Sequence, residues 1–549
     1  MTRVSTPATR SVLYRGGDVY SPADPFATAM LVVGDTVAWV GSDDAAAGHA
    51  PTVDQVLDLD GALVTPAFVD AHAHVTETGL ALTGLDLHDA VSLAQVLRRV
   101  EEAARRGGGR PILGTGWDER GWPEGRPPTR AELDRASYGG AVYLARVDVH
   151  SAVVSSSLAA AAGLADLDGW NDDGRVERDA HHAARDATRA ALGPGLRHDL
   201  QRAALDAAAA AGIGALHEMS APHIGGDDDL RALVELAAAG GTPSVLAYRG
   251  ELVADEEQAR EVVARLALGP GVLRGLAGDL CADGSIGSRT ARLREPYADA
   301  PNTTGHAYVT AEQVRDHVAA CTRAGLQAGF HVIGDGGLDV VLAGFVAAAE
   351  QVGESEVRGA RHRLEHLEMP DPAAIEMLTR LGVHASVQPA FDAWWGGERG
   401  LYAERLGERA RAMNPFASLA AAGVPLALGS DAPVTPFDPW GAVRACAFHS
   451  NPDQRISARA AFLAHTRGAW RAAGFDDRGV LVPGAPASFA VWAASELVVQ
   501  APDDRIQAWS TDPRSGTQGL PDLTPGAATP ACLRTVVEGR VVFDAGALA

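Results

Sequence analysis

Leu63-Val64-Thr65-Pro66-Ala67-Phe68-Val69-Asp70-Ala71-His72-Ala73-His74-Val75 reads as an apolar strand that ends on two histidines two residues apart. Side chains two apart on a strand share a face, so His72 and His74 are expected side by side. Two neutral imidazoles on one rigid face make half of a divalent-metal site. At the carboxyl end of a parallel strand they stand where α/β enzymes keep their chemistry. A His-x-His pair also arises by accident, so its meaning depends on what the rest of the chain brings to it.

Downstream, apolar runs alternate with Ala/Leu/Arg/Glu helices such as Leu93–Arg106, Leu200–Ala211, Ala311–Ala324 and Leu338–Val352, the pattern of a parallel sheet. The strand candidates are Pro111–Gly116, Ala141–Val147, Gly212–Met219, Pro243–Arg249, Leu273–Ala282, Leu326–Ile333, Arg361–Leu367, Val383–Gln388 and Val424–Asp431, ten with the His72 strand. An eight-stranded barrel takes eight, so two of those before residue 282 are expected in an insertion, and the sequence leaves open which two. The loosely patterned segment at about 118–196, with a helix expected over Asp179–Leu192, reads as an elaboration over the barrel mouth. Both ends of the chain are short strands and turns. The expected architecture is an α/β, TIM-like (β/α)8 barrel over 63–478, with a small β-sandwich built from residues 1–62 and 479–549.

The 549 residues are 46% hydrophobic and 21% charged, values of a globular protein, and no apolar run of membrane-spanning length interrupts them. A cytoplasmic location is the default expectation. A net charge of −23 argues against a nucleic-acid or anionic-membrane surface. The partner expected is a small-molecule substrate, with a homodimer left open. The four cysteines are scattered, which indicates neither a disulfide framework nor a thiolate zinc site. All 47 basic residues are arginine. Without lysine, Schiff-base and pyridoxal-phosphate mechanisms are excluded.

Further residues of metal-ligand type close apolar strand-like runs: His331, His366, Asp431 and, most open to a bland reading, Asp279. Any one of them could be a core histidine donating to a carbonyl or a helix-capping aspartate. A barrel, however, converges the carboxyl ends of all its strands on one mouth.

The order His-x-His, His, His, Asp resembles the amidohydrolase superfamily of metal-dependent hydrolases on a TIM barrel. Pro66 to His74, Gly116-Trp117-Asp118, Ala282 to Ala291, His331-Val332-Ile333-Gly334-Asp335, Arg361-His362-Arg363-Leu364-Glu365-His366, Ser386-Val387-Gln388-Pro389 and Gly429-Ser430-Asp431-Ala432-Pro433 are similar to its N-substituted formamide deformylase-like branch, of amidohydrolase family 3 type. The resemblance spans essentially the whole chain and implies a terminal β-sandwich as well. In many members a carbamylated lysine on the fourth barrel strand bridges two metals, at the position Asp279 matches. With no lysine that carbamate cannot form, so one divalent ion, zinc by expectation, is favoured over two. His72, His74, His331 and Asp431, or a subset with His366, are expected to hold it.

The expected chemistry is hydrolysis of an amide-type C–N bond, with Asp431 as general base and then acid. A deaminase, decarboxylase or isomerase, or a degenerate barrel without turnover, uses the same pattern and remains an alternative. Trp117, His150, Arg289, Gln388 and Trp394 are the candidate substrate contacts. The Trp394-Trp395-Gly396-Gly397 run suggests an aromatic lid, Glu218 a carboxylate facing the mouth, and Asp283 a turn aspartate.

Overall fold

Eight of the ten candidate strands pair side by side, all parallel, in one sheet of the computed structural model, which describes residues 10–107, 109, 111–147, 151–190, 193–494, 496–500, 509–510 and 518–548. In chain order they are β1 (Phe68–Ala73), β2 (Ile213–Ser220), β3 (Ser244–Arg249), β4 (Leu273–Leu276), β5 (Gln327–Val332), β6 (Arg363–His366), β7 (His384–Val387) and β8 (Leu426–Leu428). Each pairs with the next. β8 comes round to β1 through the bridge Ala73↔Ala432 and the Asp431 N–H donated to the His72 carbonyl at 2.8 Å, nearly closing a barrel. β2 is buried at every position, as expected of strands covered on both faces.

The helices between strands start and stop on local signals. Thr310 forms a capping box with Gln313 ahead of Ala311–Ala324, and Gly325 ends that helix in the left-handed region. Asp371 caps Pro372–Leu381, which Gly382 terminates in the same way.

The opening stretch is not one strand. Leu63–Pro66 pairs antiparallel with Phe489–Ala493, and β1 begins only at Phe68, whose N–H is donated to the Gly212 carbonyl at 3.0 Å. Pro66 has no N–H to continue a ladder, so the chain changes sheets at Ala67. Leu63–Pro66 belongs to a five-stranded sheet with Asp18–Val19, Phe489–Ala493, Ala531–Val537 and Arg540–Asp544. A four-stranded sheet of Thr36–Gly41, Ala29–Val33, Ser11–Arg15 and Gln55–Asp58 lies with it around one apolar core that includes Tyr14, Met30, Val32, Val64, Phe489 and Val491.

The chain divides into two compact units, the second comprising residues 74–204 and 222–233. This second unit has its own five-stranded sheet, in which Ile112–Trp117 runs parallel to Val142–Arg146. These are the two strands that lie outside the barrel. Its helices include α1 (Val75–Thr83) and α2 (Arg178–Ala190).

Candidate metal centre

His72 is two residues beyond Asp70 on β1, fully buried. Its Nδ1 faces Glu365 Oε2 at 2.9 Å, which assigns the proton to Nδ1 and leaves Nε2 as the lone-pair nitrogen. Glu365 is itself held by Arg363, two residues earlier on the same face of β6, through Nε at 2.6 Å and Nη2 at 3.0 Å. Arg363 also donates to the Ala71 carbonyl at 2.7 Å and Ser386 Oγ at 2.9 Å, and its guanidinium lies 4.5 Å from the Tyr248 ring centroid. There is room for it because Gly329 on β5 has no side chain: a Cβ there would meet the Arg363 carbonyl oxygen at 2.5 Å and Cγ at 3.1 Å.

Two further candidate ligands on barrel strands, His366 and His331, are held by the same logic. His366 Nδ1 faces Gln388 Oε1 at 2.8 Å, and its ring stacks on Phe391. His331 Nε2 faces the Gly284 carbonyl at 3.3 Å, and its Nδ1 is 3.7 Å from Asp279 Oδ1. The His366 ring centroid is 4.4 Å from that of His331 and 5.0 Å from that of His72. Asp279 Oδ1 and Asp431 Oδ1 each stand 3.4 Å from His72 Nε2. His366 and Asp431 take φ of 68° and 57°, left-handed conformations that cost a non-glycine residue about 1–2 kcal/mol. Strain of this kind at clustered donors marks a functional position.

The donor set fits a cation. Donor atoms of His72, Asp279 and His366 all lie within 4.8 Å of one another. Two donors sharing a tetrahedral ion at about 2.1 Å stand about 3.4 Å apart, longer than the usual N–H···O distance of about 2.7–3.2 Å. The two spacings from His72 Nε2 are of the first kind. Burial works against a charged His72, yet the carboxylates of Asp431, Asp279 and Glu365 push its pKa up to about 10, so positive charge is strongly favoured at this point. Burial together with the neighbouring His331 and His72 drives His366 down to about 3, keeping it in the neutral ligand form.

Other residues singled out in the sequence fall as follows. His74 comes directly after β1, buried, as the cap residue of α1 in the second unit. Asp279 does not close a strand: β4 stops at Leu276, and Gly278, at φ 85°, turns the chain before it. Asp283 is fully buried and accepts backbone N–H groups from Ile333, Gly334 and Arg292, so it ties the 283–292 loop to the end of β5. Gln388 is the acceptor on His366. Trp117 is part of an apolar core of the second unit, its indole N–H donated to the Leu144 carbonyl at 2.8 Å. Arg289 pairs with Asp299 at 2.6 Å. The Trp394-Trp395 pair ends a helix, Pro389–Trp395, instead of forming a loop. Trp395 packs on Phe391, while Trp394 is 56% exposed and lines a cavity with Asp70, Ser430 and Thr435. Glu218 is buried on β2, and His150 lies outside the described residues.

Sequence reasoning misses the roles of Glu365, Arg363 and Asp70. Asp70 Oδ1 accepts the N–H groups of His72 at 3.1 Å and Ser430 at 3.0 Å, joining β1 to the chain just after β8. The available signal was period: Arg363 and Glu365 alternate on one face of a strand otherwise fit for the interior, and two charges there need partners.

A parallel barrel whose strand ends gather imidazoles and carboxylates around a cation-seeking point is the scaffold of a metal-dependent enzyme. The sequence pattern of the amidohydrolase family matches residues 55–543, and the chain belongs to that family. It is 29% identical over 399 residues to the putative amidohydrolase YtcJ of Bacillus subtilis, covering 70% of this chain and 73% of the relative. It is 23% identical over 466 residues to the N-substituted formamide deformylase of Arthrobacter pascens, covering 80% and 85%. An uncharacterized metal-dependent hydrolase from Pyrococcus furiosus superposes with a TM-score of 0.73 at 27% identity, covering 88% of this chain and 98% of that one.

Proposed function

We propose that this hydrolase cleaves an amide-type C–N bond of a small or medium organic substrate, using His72, His74, His331 and Asp431, or a subset of these with His366, to hold one zinc ion, with Asp279 beside it. The observation that carries this reading is that each of His72, His366 and His331 has one nitrogen tied to a protein acceptor, Glu365, Gln388 or the Gly284 carbonyl respectively. That arrangement fixes the tautomer needed for ligation. Nitrogen and oxygen donors at near-tetrahedral spacing suit zinc. One ion is favoured because Asp279 is much shorter than a carbamylated lysine. The name of the Arthrobacter relative favours a C–N bond as the one broken.

A divalent ion in this place supplies Lewis acidity, lowering the pKa of water to about 7 and polarising a carbonyl. Asp431 accepts the proton of the attacking water and returns it to the leaving nitrogen. Arg363 keeps Glu365 ionised, and Glu365 keeps His72 in one tautomer. Trp394 contributes an apolar wall for the substrate. We also read the two terminal sheets as one β-sandwich, which braces β1 through the continuous chain at Ala67.

Metal analysis of the purified protein, combined with assay of a panel of N-formyl and N-acetyl amines, tests this. Close to one zinc per chain and metal-dependent release of amine are expected, with no dependence on bicarbonate during reconstitution. Protein that carries no zinc, manganese, iron or nickel and takes none up on titration would overturn the reading.

A further inference from the structure

One cavity, wholly within the first unit, is walled by residues other than the candidate metal ligands. It has a volume of about 190 Å³ and lies between the end of β8, the helix Pro389–Trp395 and the start of a helix over Pro439–Ala447. Asp70 forms part of its wall. The Oδ1 of Asp70 is committed to the N–H groups of His72 at 3.1 Å and Ser430 at 3.0 Å. Its Oδ2 is buried and has no hydrogen-bond partner among the described residues. Asp70 is 1% exposed and makes no ion pair among the described residues. Buried charges are ordinarily paired, because leaving water without a counter-charge is costly. What satisfies Oδ2 best is a donor that carries positive charge.

The rest of the wall agrees with that. His465 Nδ1 faces the Val69 carbonyl at 2.9 Å, which assigns the proton to Nδ1 and leaves Nε2 an acceptor. Burial drives the His465 pKa down to about 4, so the ring is neutral. Asp438, at the exposed rim, adds a second carboxylate. An anion finds little here, since Pro439 has no N–H and the Gly441 N–H is given to Asp438 Oδ1 at 2.9 Å. A bare metal ion fits no better: Asp70, Asp438 and His465 form no donor group within 4.8 Å among the described residues. The remaining wall is largely apolar, with Ala390, Pro436 and the Trp394 indole. A space of about 150 Å³ accepts a benzene ring.

We propose that this cavity binds a small primary ammonium ion with an apolar body, its N–H groups on Asp70 Oδ2 and its hydrocarbon against Trp394. Hydrogen bonds between an ammonium and a carboxylate are about twice as strong as neutral ones, and an indole face attracts a cation. The amine that amide hydrolysis releases belongs to this class, a link that rests on the amide reading, whereas the binding itself does not. The same carboxylate holds the His72 N–H, so the ion sits one side chain away from a candidate metal ligand.

Titration of benzylammonium chloride into the full, zinc-loaded chain, read by calorimetry and indole fluorescence, tests this against benzyl alcohol, the neutral isostere, and against potassium chloride. Benzylammonium should bind roughly 10- to 100-fold more tightly than benzyl alcohol, and potassium at equal concentration should not displace it. Asp70→Asn should bring the two ligands to within about threefold of each other. Because that substitution also touches the His72 backbone, Ala390→Leu is the second variant. It fills the cavity, leaves Asp70 in place and should weaken benzylammonium at least about tenfold. An amine that ligates the metal instead would bind Ala390→Leu as it binds wild type, which overturns the proposal. Equal affinity for benzylammonium and benzyl alcohol in wild type leaves Oδ2 to an ordered water and overturns it too, as does displacement by potassium. The titration involves no turnover, so a protein that hydrolyses no amide loses the amide reading and still decides this one.

Discussion

The barrel interior along β6 and the core between the two terminal sheets are both closed to solvent, yet they are made of opposite material. Between the sheets the contacts are Tyr14, Met30, Val64, Phe489 and Val491, each contributing about 1.5–3 kcal/mol by leaving water. Inside the barrel the residues are Arg363, Glu365, His72 and His217, all fully buried. A buried ion pair adds little net stability, although breaking one by removing a single partner costs about 3–5 kcal/mol. Arg363, joined to Glu365, Ala71, Ser386 and His217, fixes where atoms lie and has little to offer as a source of stability. The terminal core stabilises the chain, and the barrel interior sets the geometry of the metal ligands.

Four variants sharpen or break that contrast. The largest effect is expected from combining His72→Ala with His74→Ala, which should remove both metal and hydrolysis and leave the circular dichroism spectrum unchanged. Full metal content in the inactive double variant would remove these residues from the ligand set. Asp431→Asn should lower kcat by roughly 10²- to 10⁴-fold with most of the metal retained, as read by elemental analysis beside the assay. An active Asp431→Asn variant would mean that another base operates.

Glu365→Gln acts through His72 and should weaken metal affinity about 10- to 100-fold, measured by competition with a chromophoric chelator. It also changes the pH response. Burial would raise the Glu365 pKa, but Arg363 and His72 hold it at about 2, below its ordinary 4.5. The stability that this carboxylate supplies is complete above about pH 4.5 and lost as pH falls toward 2. The variant should therefore show a flatter acid limb in denaturant titrations, and an identical limb would detach Glu365 from the network. On the site itself, Phe489→Ala should do least. It should cost about 3–5 kcal/mol of stability while metal content and KM stay at wild-type values. A change in metal affinity there would show that the two regions are coupled.

Much of the barrel was legible in the sequence. The runs starting near Gly212, Pro243, Leu326, Arg361, Val383 and Val424 became strands with ends shifted by a few residues, because β-branched and aliphatic runs bounded by Gly and Pro carry their own signal. The same signal could not say that Ile112–Trp117 and Val142–Arg146 lie outside the barrel, since a parallel strand looks alike in either sheet. Leu63 to Val75 looked continuous because every residue to Ala73 is buried. The change of sheet at Ala67 depends on a partner, Phe489–Ala493, more than 400 residues away.

What the sequence determined by itself was chemical inventory and local form: imidazoles and carboxylates at the ends of apolar runs, helices with their caps, and the absence of lysine, which rules out a carbamate whatever the fold. Tertiary structure alone decided which of those groups meet. His72 and Glu365 are 293 positions apart, and Arg363 fits beside them because the neighbouring strand carries Gly329. Strand pattern has a range of a few residues, while the placement of a buried charge depends on every strand that surrounds it.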